Sequence, residues 1–140
     1  MANEAVLMWE TELPIPFTVA NGTGIEKGAV LTLSDPMTAA QSAAAGDLIA
    51  GICAEEKIAS DGKTKIPVYR SGIFKVYLSG SCTVGDLSQT DASNNSFKVF
   101  DSGGTSLSGS KVAGIFLETG TTGQTVLMEL NIGAVKSPQA

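Results

Sequence analysis

The chain has 140 residues and a formal net charge of −5, with charged residues at only 16% and apolar residues at 43%. This length suits one domain with a sizeable core. One arginine, Arg70, and scattered lysines leave no basic face for phosphate groups, which argues against nucleic-acid and anionic-membrane partners. Ordinary soluble proteins carry about 25% charged residues, so the low value indicates a surface partly covered by other chains.

The first segment, residues 1–14, is interpreted as an extended N-terminal arm that carries the sole tryptophan, Trp9. Its apolar residues argue against a disordered tail, and its proline, Pro14, favours an extended chain. The start lacks the basic region and the apolar length of a signal peptide, and no run reaches the roughly 18 apolar residues of a membrane span. We therefore expect a protein made and kept in the cytoplasm, unless it leaves inside a larger particle.

After the arm, short alternating or apolar runs between turn residues predict many strands. These runs are residues 15–20, 28–34, 48–54, 64–70, 73–79, 96–101, 112–118 and 125–132. Residues 38–45 are the one helix-compatible stretch, so short that a loop is an equal alternative. About eight or nine strands predict an all-β fold, a small barrel or sandwich with at most one short helix. We assign residues 15–133 to a single β domain and residues 134–140 to a frayed tail.

One internal similarity is visible between residues 49–55 (IAGICAE) and residues 112–118 (VAGIFLE). A glycine follows each segment, Gly62 or Gly123, with a threonine two positions later at the start of an alternating strand. The pattern predicts two similar hairpins that pack as quasi-equivalent halves of one barrel. The glycine inside each segment indicates a bulge or a sharp bend.

The sequence contains no recognisable catalytic or metal-binding pattern. The chain has no histidine, which removes the commonest general base and metal ligand and excludes Ser-His and Cys-His nucleophiles. Cys53 and Cys82 are too few for a zinc site, and the apolar run around Cys53 predicts a buried thiol. We expect no enzymatic activity, no cofactor and no metal.

Two loop motifs are interpreted as turns. Glu55, Glu56 and Asp61 surround one loop, where paired carboxylates could serve glycoside hydrolysis or bind calcium. Nearby lysines dilute that charge, so a solvated turn is expected. Gly62-Lys63-Thr64 ends like a phosphate-binding loop, but Lys57 occupies the position of the required earlier glycine.

Four stretches together carry a resemblance to a known family. They are GAVLTLS (28–34), AAGDLIAGICAEE (44–56), KIPVYRSGIFKVYLSG (65–80) and CTVGDLSQTDASNNSFKV (82–99). Over roughly residues 15–132 the chain resembles the capsid decoration, or cement, proteins of tailed bacteriophages. The resemblance implies a β-rich homotrimer that binds the major capsid protein outside the mature shell, at three-fold or quasi-three-fold sites. It also implies a virion protein made in the host cytoplasm.

Capsid binding through the arm is our hypothesis for the mechanism. An extended segment can add a strand to an exposed sheet edge, with side-chain pockets providing specificity. The candidate capsid-binding residues are Leu7, Trp9, Leu13 and Pro14, and the first three are expected to share one face. Alternatively, the arm folds back on its own barrel or on a trimer neighbour, or stays disordered. For the whole chain the alternatives are another virion or tail subunit, or a small carbohydrate- or ligand-binding β-module.

Overall fold

The computed structural model describes residues 3–91, 95–101 and 111–133, which form eleven β-strands. The strands are β1 (Val6–Trp9), β2 (Ile15–Thr18), β3 (Val30–Ser34), β4 (Thr38–Gln41), β5 (Ile49–Cys53), β6 (Lys65–Tyr69), β7 (Ser71–Leu78), β8 (Leu87–Thr90), β9 (Ser96–Val99), β10 (Gly114–Phe116) and β11 (Thr125–Asn131). The all-β prediction is confirmed. Within those ranges no helix has the length and apolar character to cross a membrane. The predicted tail, residues 134–140, lies outside the described residues.

Two five-stranded barrels account for ten of the strands. The N-terminal barrel closes in the order β2-β4-β3-β5-β6. The C-terminal barrel has the order β7-β11-β10-β8-β9 and closes where β9 pairs with β7. Strand β1 lies outside this ring and pairs with the first half of β7.

The two barrels have the same topology. In the first, β2 runs parallel to β4 and antiparallel to β6; in the second, β7 runs parallel to β9 and antiparallel to β11. The hairpins β5–β6 and β10–β11 are the two similar segments seen in the sequence. They occupy equivalent places in two barrels, so the expectation that they form halves of one barrel is wrong.

The repeated glycines, Gly51 and Gly114, explain why the hairpin sequences are alike. A Cβ at Gly51 would overlap the carbonyl oxygen of Tyr69, and one at Gly114 would overlap that of Glu129. Each oxygen belongs to the second strand of its hairpin, so the backbones approach too closely for any side chain. The register of β5 against β3 also shifts beside Gly51, which confirms the predicted bulge there.

A shared apolar core joins the barrels. Val30 and Ile49 of the N-terminal barrel belong to the same buried cluster as Phe74 and Leu130 of the C-terminal barrel. A second cluster fills the interior of the N-terminal barrel. The backbone N–H of Val30 also donates to the side-chain Oδ1 of Asn95, 3.0 Å away, so the junction has a polar contact as well.

The helix-compatible stretch, residues 38–45, begins as strand β4 (Thr38–Gln41) and ends in a turn. The Asp47 carboxylate accepts hydrogen bonds from the Ser42 hydroxyl at 2.9 Å and from the N–H groups of Ala43 and Ala44. Pairing of β4 with both β2 and β3 therefore overrides the weak helical tendency of the alanines.

Candidate interaction surfaces

The N-terminal arm folds back on its own chain. Strand β1 pairs antiparallel with β7, and the N–H of Ala5 donates to the carbonyl of Gly28 at 2.9 Å. Among the described residues β1 is the edge strand of its sheet, so one side of its backbone faces away from the barrel. This is one of the alternatives expected for the arm, and it leaves a strand edge available for augmentation.

A β-bulge separates the two central arm residues. Leu7 pairs with Phe74 and Trp9 pairs with Ile73, so Met8 is an extra residue on the arm side. Leu7 packs against the core, whereas Trp9 is 57% exposed. Because a one-residue shift turns side chains to the other face of a sheet, the expectation that Leu7 and Trp9 share a face is wrong.

Polar contacts from Tyr69 and Ser71 fix the chain between β1 and β2. The Tyr69 hydroxyl donates to Glu10 Oε2 at 3.0 Å, and the Ser71 hydroxyl donates to Glu12 Oε1 at 2.9 Å. Burial, followed by the Glu10 contact, raises the pKa of Tyr69. Beyond these contacts Leu13 is 78% exposed, the most exposed of the large apolar side chains of the described residues.

An apolar groove lies on the N-terminal barrel. Two adjoining depressions of about 310 and 350 Å³ share Leu33 and Met37 in their walls. The other residues in the walls are Ile15, Phe17, Ser34, Asp35, Leu48 and Arg70. We call this surface, with Leu33 and Met37 at its centre, the Met37 groove.

The Met37 groove contains the sole arginine of the chain. Arg70 is the one residue between β6 and β7, so both barrels position it. Its Nη1 donates to the carbonyl of Ala50 at 3.1 Å, and its guanidinium carbon lies 5.8 Å from the centre of the Phe17 ring. Burial lowers the pKa of the guanidinium, which nevertheless stays charged at neutral pH.

The predicted carboxylate-rich turn is held by a buried lysine. The Lys57 side chain is fully buried and donates from Nζ to the carbonyls of Asn21 and Ile58 and to Asp61 Oδ1. Asp61 also accepts from the N–H groups of Lys63 and Ile58. The Lys63 contact, and then that of Lys57, lowers the pKa of Asp61. These hydrogen bonds give the turn a structural role at the end of the N-terminal barrel.

The two cysteines are free thiols buried in separate barrels. Cys53 donates from Sγ to the carbonyl of Glu55 at 2.9 Å, and burial raises the pKa of its thiol. The prediction of a buried Cys53 is confirmed. In the described part of the chain, no three acidic or cysteine side chains come together as a metal site.

Sequence reasoning missed the Met37 groove and the burial of Lys57. In the sequence Arg70 is distinctive only as the single arginine, and Met37 follows Asp35-Pro36 with no periodic signal of its own. The groove forms because β2, the β3–β4 turn and the β6–β7 junction meet in space. The one relevant sequence feature is the Asp35-Pro36 turn signal, since residues in turns are usually exposed.

Comparison with known proteins finds a solved structure with a similar fold. No family model matches the sequence, and no match was found among curated proteins. Among solved structures, the chain is similar to the head fiber gp8.5 N base in bacteriophage phi29, with a TM-score of 0.55 and 17% identity. The alignment covers 88% of this chain and 98% of that one. The two chains therefore share a fold over nearly all of the head fiber base.

Proposed function

We propose that this protein is a non-enzymatic structural component of a tailed-phage head. It binds the outside of the mature capsid as a homotrimer at three-fold or quasi-three-fold sites and stabilises the shell. The observation that carries the proposal is the shared fold with a phage head fiber base, because the likeness extends over 98% of that chain. The motif resemblance to decoration proteins supports the same role.

The surface chemistry agrees with an assembly role. Trp9 and Leu13 are well exposed near the edge strand, and Met37 is half exposed on the other barrel. Exposed apolar surface of this kind on a low-charge protein is typical of contacts with other chains. A second candidate function is the shell-bound base of a longer head fiber, favoured by the likeness to the N base of a phage head fiber.

Binding and shell stability test the proposal together. Purified protein is mixed with expanded capsids that lack it, and bound protein is measured after sedimentation. We expect saturable binding, a trimer by size-exclusion chromatography with light scattering, and a higher temperature of capsid disruption. Saturable binding without any rise in disruption temperature would favour the fiber-base role over cementing. A failure to bind expanded capsids would contradict both.

A further inference from the structure

We propose that the Met37 groove is the surface that seats on the capsid. It receives a segment of the major capsid protein that presents a large apolar side chain beside a carboxylate. The inference rests on the proposed function for the identity of the partner. The chemistry of the partner segment is argued from the groove alone.

The shape and lining of the groove call for an apolar side chain. The depressions of about 310 and 350 Å³ share Leu33 and Met37, so together they form one elongated surface. Ile15, Met37 and Leu48 are all large and exposed there. Exposing clustered apolar side chains to water is unfavourable, and covering them with a partner removes that cost.

Met37 ends the three-residue turn between β3 and β4 and lines both depressions. Its φ of 46° lies in the left-handed region, which side chains other than asparagine and aspartate rarely occupy. The last residue of a three-residue hairpin loop commonly adopts this conformation, so the turn fixes the position of Met37. Its side chain is 50% exposed, and methionine adapts well to the shape of a partner.

Arg70 supplies the charge that selects a carboxylate. A guanidinium has five N–H donors, and among the described residues Arg70 uses one donor, toward Ala50, with no carboxylate within ion-pair distance. The Phe17 ring and the Ala50 carbonyl hold its plane in one orientation. A partly buried arginine of fixed orientation is suited to a bidentate carboxylate pair at an interface.

The alternatives fit these features less well. A small ligand usually needs several convergent polar groups, whereas the two charged residues of the groove, Arg70 and Asp35, lie in the walls of separate depressions. A second copy of the chain could offer the exposed Leu13, and the oligomeric state of the groove variants distinguishes that occupant from the capsid. The groove calls for an apolar side chain beside a carboxylate, and the proposed function makes the capsid the occupant that presents them.

Three variants and one control test the proposal in the full chain. Met37→Asn removes the apolar side chain and keeps a residue that tolerates the left-handed backbone. Arg70→Gln removes the charge, and Arg70→Lys keeps it without the bidentate geometry. The control is Val84→Ser, a large exposed apolar residue, 58% exposed, in a turn of the other barrel. Thermal unfolding of each variant identifies any that fail to fold.

Affinity for expanded capsids is then measured by cosedimentation at low and high salt. We expect Met37→Asn and Arg70→Gln each to weaken binding about tenfold or more, with Arg70→Lys between Arg70→Gln and the parent. Val84→Ser is expected to bind like the parent. Arg70→Gln should also reduce the salt dependence of binding, because it removes a charge pair.

Each other outcome overturns a specific part of the account. If the parent binds capsids and both groove variants bind like Val84→Ser, the groove proposal fails while the proposed function stands. If the parent does not bind, the proposed function fails and the capsid is not the occupant. If Met37→Asn and Arg70→Gln instead change the oligomeric state in solution, the occupant is a second copy of the chain.

Discussion

The ammonium group of Lys57 lies 3.2 Å from Oδ1 of Asp61, four residues later, with the lysine side chain fully buried. In the other barrel Gly120 takes the place of Lys57, since Ile25 bridges to Lys57 as Cys82 bridges to Gly120. The same position is therefore occupied by a buried cation in one barrel and by a glycine in the other. A buried cation is tolerated only when its hydrogen bonds are satisfied, and the three acceptors of Lys57 do this.

Lys57→Met is expected to destabilise the protein. The substitution leaves the carbonyls of Asn21 and Ile58 without their donor, at a cost of about 1–3 kcal/mol. The free energy of unfolding in urea measures the effect. The control is Lys63→Met, which removes a solvent-exposed ion pair at 3.8 Å and should cost less than about 0.5 kcal/mol. Equal stability of the two variants would contradict the role assigned to Lys57.

Asp61 predicts how the stability of this turn depends on pH. Its pKa is lowered below the ordinary value of 3.8 by hydrogen bonds from Lys63 and Lys57. A depressed folded-state pKa stabilises the fold fully above the ordinary value, and this contribution disappears as pH falls through the folded-state value. The stability advantage of the parent over Asp61→Asn should therefore narrow from neutral pH to about pH 3. An advantage that stays constant across that range would refute the assignment.

Gly51→Ala and Gly114→Ala should be the most damaging of the small substitutions. At both sites a Cβ would overlap a carbonyl oxygen of the neighbouring strand, so each is expected to cost about 3 kcal/mol or more. The matched control is Gly22→Ala, where no atom lies within 4 Å of the added carbon. Its expected effect is within about 0.5 kcal/mol. Near-parent stability of either strand variant would mean that the strands do not approach as described.

Two residues of the arm are expected to have different roles, Leu7 in stability and Trp9 in capsid binding. Leu7→Ala should lower the free energy of unfolding by about 1–2 kcal/mol, because Leu7 packs on the core. Trp9→Ala should leave stability nearly unchanged and weaken capsid binding, because Trp9 faces outward and tryptophan is often a binding hot spot. Urea denaturation and capsid cosedimentation distinguish them. Unchanged capsid affinity of Trp9→Ala would remove the arm from the interface.

Local sequence patterns predict the all-β class and many of the strands and turns. The alternation of residues 73–79 predicted a strand that corresponds to β7 (Ser71–Leu78), and the repeated glycines indicated equivalent hairpins. Closure into two barrels could not be predicted, because it depends on the long-range parallel pairs β2–β4 and β7–β9. The alternation of Leu7 and Trp9 wrongly predicted that both side chains lie on one face of the strand. Met8 is an extra residue in a bulge, so Trp9 lies on the opposite face from Leu7 although the apolar pattern is unchanged.

The candidate site was harder to predict than the fold. Arg70 and Met37 are 33 positions apart in the printed sequence, and only tertiary packing brings them to one groove. Lys57 resembles any surface lysine in a polar turn, and its burial follows from the position of Asn21 across the barrel end. Both features therefore depend on three-dimensional packing and have no periodic sequence signal.

The most direct test of the central claim is a cryo-electron microscopy reconstruction of expanded capsids saturated with the purified protein. The account predicts added density outside the shell at three-fold or quasi-three-fold positions, into which three copies of the double barrel fit. It further predicts that the Met37 groove faces the shell. Capsids that show no added density after incubation at saturating concentration, or density at other symmetry positions only, would contradict the account.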